Sequence, residues 1–87
     1  MYKYEDYRPF LFSEEGQVVF LKKRDIIKDM LNKSKYVDLE DIVRNTSGSN
    51  FETIACVDRM LELNEIVEMT DKNSVKISNF RIFRKSF

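Results

Sequence analysis

The sequence predicts one small α+β domain of three helices and a C-terminal β-hairpin, preceded by an extended aromatic arm. Three observations predict this fold. Apolar residues recur at helical spacing in three segments between residues 13 and 63, apolar and polar residues alternate near the C-terminus, and aromatic residues crowd the N-terminus. A chain of 87 residues is short enough for a single core. We therefore expect an arm over residues 1–12 and one domain over residues 13–87.

The arm is predicted from its aromatic residues and its single proline. The sequence Arg8-Pro9 favours extended backbone, because proline biases the residue before it away from the helix. Two interpretations stay open: the arm lies over the domain, or it offers an aromatic docking surface to a partner. The aromatic residues are Tyr2, Tyr4, Tyr7, Phe10 and Phe12.

The first two predicted helices each begin at a residue suited to capping. Ser13 precedes two glutamates and opens a long helix that ends around Lys33, with apolar positions at helical spacing. Val18, Leu21 and Ile26 widen its apolar stripe. Asp38 is predicted to cap a short second helix.

The third predicted helix runs from Phe51 to Leu63, capped by Ser49 or Asn50. Its spacing predicts that Ile54, Val57 and Leu61 are buried. Asn64 follows it and suits a left-handed helix end.

A β-hairpin is predicted after the third helix. Ile66 to Thr70 has the composition of a strand, Asp71 to Ser74 reads as a turn, and Val75 to Ile77 alternates as a strand does. Phe80 to Phe83 either continues the second strand past a kink or forms another short strand.

The junction between the third helix and the first strand carries a resemblance to a known family. Val57-Asp58-Arg59-Met60, then Asn64, Ile66 and Glu68, resembles the junction of MarR-type and related winged-helix domains. The chain departs from the family in lacking length for the dimerisation helices and an Asp-Arg-Arg element in the wing. The resemblance implies that the third helix enters the major groove of DNA and that the wing contacts the backbone. The nucleic-acid-binding residues implied on this chain are Ser49, Asn50, Thr53, Arg59, Lys72, Lys76, Arg81 and Arg84.

The charge of the third helix favours a different interpretation. If the predicted apolar stripe is buried, the opposite face carries two acids beside a single base, whereas phosphate binding needs cations. Such a face suits a partner protein or self-association. The residues of this alternative protein interface are Glu52, Ala55, Cys56, Glu62 and Leu63.

Charge is unevenly distributed along the chain. Fifteen Lys and Arg balance fifteen Asp and Glu, but residues 72–87 carry five cations and no acid. This distribution places the predicted phosphate contacts in the hairpin and tail more than in the third helix.

Composition excludes several classes of function. The chain has no histidine, one cysteine and two glycines, so it lacks the residues of imidazole catalysis, of a zinc site and of a glycine-rich phosphate loop. We expect no enzyme, no cofactor, no bound metal, no small-molecule substrate and no membrane association. The single cysteine favours a cytoplasmic location.

Two functions are left open. The first is a small DNA-binding regulator or accessory factor that contacts double-stranded DNA. The second is a protein–protein interaction module or adaptor, with a partner protein or a homodimer as its target and a mobile element as one origin.

Overall fold

The computed structural model describes residues 1–69 and 81–86. The predicted turn at 71–74, the predicted strand at 75–77, Lys72 and Lys76 lie outside these residues. In the described part, the elements in chain order are α1 (Tyr4–Phe12), α2 (Glu14–Lys33), β1 (Val37–Asp38), α3 (Leu39–Asn45), α4 (Asn50–Glu62), β2 (Ile66–Met69) and β3 (Ile82–Lys85).

The N-terminal segment is helical, so the prediction of an extended arm is wrong and α1 adds a helix to the three predicted. Pro9 lies inside α1, where it removes the amide that would donate to the carbonyl of Glu5. The helix forms despite this loss because it packs against α2 and α4 and buries Leu11. Tertiary burial therefore outweighs the local preference of Arg8-Pro9.

The predicted helix ends are confirmed. Ser13, Asp38 and Ser49 each accept a hydrogen bond from the backbone amide three residues ahead, over 3.0, 2.8 and 3.1 Å. Asn64 has a φ of 59°, in the left-handed region expected after α4. Residues close to these boundaries thus determine where α2, α3 and α4 begin and where α4 ends.

The three strands form an antiparallel sheet in the order β1-β3-β2, with β3 in the centre. The C-terminal pair β2-β3 confirms a hairpin, but the strand that pairs with β2 is Ile82–Lys85 and not the predicted 75–77, which lies outside the described residues. Phe83 of β3 lies opposite Val37 of β1 and Glu68 of β2, and its side chain is fully buried. The sheet therefore attaches the end of the chain to the segment between α2 and α3.

The core lies between α2, α4 and the sheet. Lys23 of α2 is buried at its edge and donates hydrogen bonds to the carbonyl oxygen of Ser47 and, over 3.1 Å, to the hydroxyl of Thr53. This ammonium fixes the turn between α3 and α4 on α2, because a buried charge must be hydrogen-bonded. The largest fully buried apolar side chains are Phe83, Ile27, Ile42, Met60 and Val57.

The buried face of α4 differs from the predicted one. Thr53, Cys56, Val57 and Met60 form it, while Ile54 and Leu61 are only partly buried. Lys23 explains part of the difference, since it draws the hydroxyl of Thr53 into the interior. The prediction followed the spacing of the apolar residues. It was correct for Val57 but missed a threonine that is held by a buried lysine.

Across residues 1–69 and 81–86, no helix combines the length and the apolar character that crossing a bilayer requires.

We predict that Gly16→Ala destabilises the protein. A Cβ at position 16 would overlap the carbonyl oxygen of Phe10, so α1 would have to move away from α2. Helix propensity alone predicts the opposite sign, a gain of about 0.5–1 kcal/mol. We expect a net loss of about 1–3 kcal/mol, as for other overpacked sites.

Urea denaturation followed by circular dichroism measures this change. Lys22→Ala, at an exposed position of the same helix, is the matched control and should leave the midpoint nearly unchanged. A midpoint for Gly16→Ala equal to or above that of the wild type would contradict the packing of α1 on α2.

Candidate interaction surface

Helix α1 and the residues before it cover the face of α4 that points away from the core. The ring of Phe51, in the first turn of α4, lies 5.8 Å from the ring of Tyr2 and 6.4 Å from that of Tyr7. Ala55, one turn further along this face, is fully buried. We call this contact the α1–α4 interface.

A chain of polar contacts joins this interface to the sheet. The hydroxyl of Tyr2 donates to a carboxylate oxygen of Asp58 over 2.6 Å, and Arg81 donates to the other oxygen over 2.9 Å. Arg81 also binds both oxygens of Glu68 on β2, at 2.8 and 3.2 Å. These hydrogen bonds, first of all those to Glu68, raise the pKa of Arg81. The guanidinium is thereby committed to contacts within the protein.

A second cluster forms at the C-terminal end of α4 around Glu62. Its carboxylate accepts hydrogen bonds from the hydroxyl of Tyr4 at 2.8 Å and from Arg59 at 2.7 Å, and it pairs with Arg8 at 3.3 Å. The two guanidinium groups lie over the ring of Phe12, 4.7 Å and 5.1 Å from its centre. Cations and an aromatic ring thus hold the two helices together at this end.

The α1–α4 interface also shifts the ionisation of its side chains. Partial burial and the hydrogen bond to Glu62 raise the pKa of Tyr4 to about 12. Burial and the hydrogen bond to Asp58 likewise raise the pKa of Tyr2. The hydrogen bonds from Tyr4 and Arg59 lower the pKa of Glu62. The interface is therefore most stable when both tyrosines are protonated and Glu62 is ionised.

The residues implied as DNA contacts on α4 are mostly engaged within the protein. Ser49 caps the helix, Thr53 is 1% exposed and Arg59 pairs with Glu62. Asn50 is exposed at the helix start. These residues do not form one accessible surface.

The predicted phosphate contacts of the hairpin and tail also include residues bound within the protein and residues that are exposed. Arg81 is held by Asp58 and Glu68, whereas Arg84 is exposed on β3. Lys72 and Lys76 lie outside the described residues.

The alternative protein interface is not a single exposed surface either. Ala55 and Cys56 are fully buried, and burial raises the pKa of the Cys56 thiol to about 11. Glu52 lies beside Lys23, with 3.9 Å between its carboxylate and the ammonium. Glu62 is bound to α1, so Leu63 alone keeps the role of an exposed apolar contact.

Leu63 lies on an apolar groove between α1, α2 and α4. Phe12, Leu21 and Leu63 are 46%, 44% and 43% exposed and line the rim of a cavity of about 210 Å³. The buried side chains of Leu11 and Phe20 form its floor. We call this cavity the apolar groove.

The sequence contained part of the signal for this groove. Leu21 widens the apolar stripe of α2 beyond what one core face needs, and such an excess indicates an exposed contact. Phe12 gave no such signal, because its place on the rim depends on α1 being helical.

Comparison of the chain with family models, with curated proteins and with solved structures gives no match. Among the residues that the structure describes, no three carboxylate or thiol groups are placed to hold a metal ion. The function is therefore inferred from the geometry of the surfaces.

We predict that alkaline pH weakens the α1–α4 interface before it weakens the core. Tyr2 and Tyr4 have raised pKa values in the folded protein, so the unfolded chain releases these protons first, near the usual tyrosine value of about 10. Stability is fully present below that pH and falls as the pH rises toward the folded values.

Melting temperatures measured across this pH range test the prediction. Between about pH 9 and about pH 11, the melting temperature of the Tyr2→Phe/Tyr4→Phe double variant should fall by less than that of the wild type. Tyr36→Phe removes a tyrosine after α2 and is the control. Identical pH dependence in all three proteins would show that the two hydroxyls are not bound as described.

Proposed function

We propose that this chain is a winged-helix domain that acts as a protein–protein interaction module through the apolar groove. The order α2-β1-α3-α4-β2-β3 and the sheet order β1-β3-β2 support the winged-helix assignment. The observation that carries the function is the convergence of Phe12, Leu21 and Leu63 around one cavity. Exposed large apolar side chains that converge in this way are typical of protein contacts.

The groove has the dimensions and chemistry of a pocket for an anchoring side chain. Its volume of about 210 Å³ suits one large apolar side chain of a partner, seated on Leu11 and Phe20. Such buried anchors contribute most of the energy of many interfaces. Arg59 also lines the groove, where its pairing with Glu62 holds the guanidinium beside the position of the anchor.

The position of α1 argues against α4 as a helix that reads DNA. The face of α4 opposite the core is contacted by Tyr2, Tyr4 and Tyr7, and its Arg59 is bound to Glu62. Insertion of α4 into a major groove would first require α1 to leave. The protein-interaction function needs no such rearrangement.

We predict that Leu21→Glu and Leu63→Glu each weaken partner binding strongly without unfolding the protein. Both side chains are nearly half exposed, so a carboxylate there costs little stability. An acid in the anchor pocket should weaken binding by about 2 kcal/mol or more, which is about 30-fold.

The measurement is affinity capture from the source cells, followed by mass spectrometry and titration of the purified partner. Val18→Glu is the matched control, because Val18 is 53% exposed on α2 outside the groove. The proposal fails if the two groove variants keep the same partners at the same affinity as Val18→Glu. Light scattering of the purified protein distinguishes a second copy of the chain from a different partner.

A further inference from the structure

A second surface, separate from the rim formed by Phe12 and Leu21, lies between the C-terminal half of α2 and the end of the sheet. Two adjoining cavities of about 720 and 360 Å³ are found there, and both are lined by Leu31, Asn32 and Lys85. The buried side chains of Leu31 and Ile66 form part of the floor. We call the two cavities together the basic cleft.

The basic cleft is strongly positive. Of the described residues that line it, five are cationic and one, Glu65, is acidic. Glu65 pairs with Lys28 over 3.3 Å, which leaves the other four cations in excess within the cleft. The cations are Lys28, Lys33, Lys35, Arg84 and Lys85.

The arrangement of these cations favours an extended anion over a single buried one. Lys33 and its partner Asp29, on the same helix, are 74% and 62% exposed, so their ion pair contributes little energy. Lys35 and Arg84 lie along the smaller cavity, and Lys85 borders both cavities. Charges spread along a channel match a ligand whose own negative charges repeat along a chain.

The chemistry of the side chains narrows the class of ligand further. Four of the five cations are lysines, which act as point charges without the fork geometry that arginine offers to a carboxylate. Lysines at the surface neutralise successive phosphates and release their counterions. We propose that the basic cleft binds the phosphodiester backbone of a nucleic acid, with phosphate contacts from Arg84 and Lys85 of β3 and from Lys33 and Lys35 at the end of α2.

This proposal goes beyond the protein-interaction function: its charged contacts are not residues of the apolar groove, although Leu63 lines both surfaces. It also differs from docking through α4, because the contacts lie on β3 and at the end of α2. Either proposal can therefore fail while the other holds.

Fluorescence anisotropy tests the cleft with two probes of mixed sequence, a labelled single strand and a labelled duplex. We expect binding at about 50 mM salt that weakens steeply by about 200 mM. The variant Lys35→Gln/Arg84→Gln/Lys85→Gln should bind more than about tenfold more weakly, with a salt slope lower by about two for the single strand and about three for the duplex. The probe that binds more tightly identifies whether the cleft prefers single-stranded or double-stranded nucleic acid.

The matched control removes three cations elsewhere. Lys3→Gln/Lys22→Gln/Arg44→Gln has the same net charge and changes exposed residues outside the cleft. Its affinity should stay within about threefold of the wild type, and the melting temperatures of both variants should match. Equal losses in the two variants would overturn the proposal, as would the absence of wild-type binding to both probes at low salt. Equal displacement of the probe by polyglutamate of the same charge would overturn the assignment to nucleic acid.

Discussion

Helix α4 is buried on two opposite faces, and the surfaces that the protein offers follow from this packing. Met60 and Val57 close the core on one side, while Ala55 is covered by α1 on the other. In α4, the first turn with Asn50 and Phe51 and the last residue, Glu62, are exposed, and the exposed Leu63 follows directly. A helix packed in this way acts as the central support of the domain, and binding is left to its neighbours.

The fold also separates cations that serve the structure from cations that face solvent. Lys23 and Arg81 are bound to other residues of the protein, whereas Lys35 and Arg84 line the basic cleft. Leu63 lines both the apolar groove and the larger cavity of the cleft. The two proposals together describe an adaptor that holds a partner protein beside a nucleic-acid backbone.

Local signals predicted much of this structure, and the failures share one cause. Capping by Ser13 and the left-handed turn at Asn64 depend on nearby atoms, so the sequence reveals them. The helical state of α1 and the burial of Ala55 depend on each other across more than forty residues. No local pattern contains such information. Pro9 favoured an extended N-terminal segment, and the position of Ala55 in the spacing pattern favoured its exposure.

The proline inside α1 has a consequence for the order in which the chain folds. Helices shorter than about 12 residues are marginal in isolation, and α1 has nine residues and one hydrogen bond fewer than its length would give. Coil-to-helix conversion of this segment must therefore coincide with its docking on α4. We therefore expect the N-terminal dozen residues to lose their helix as one unit whenever they leave α2 and α4.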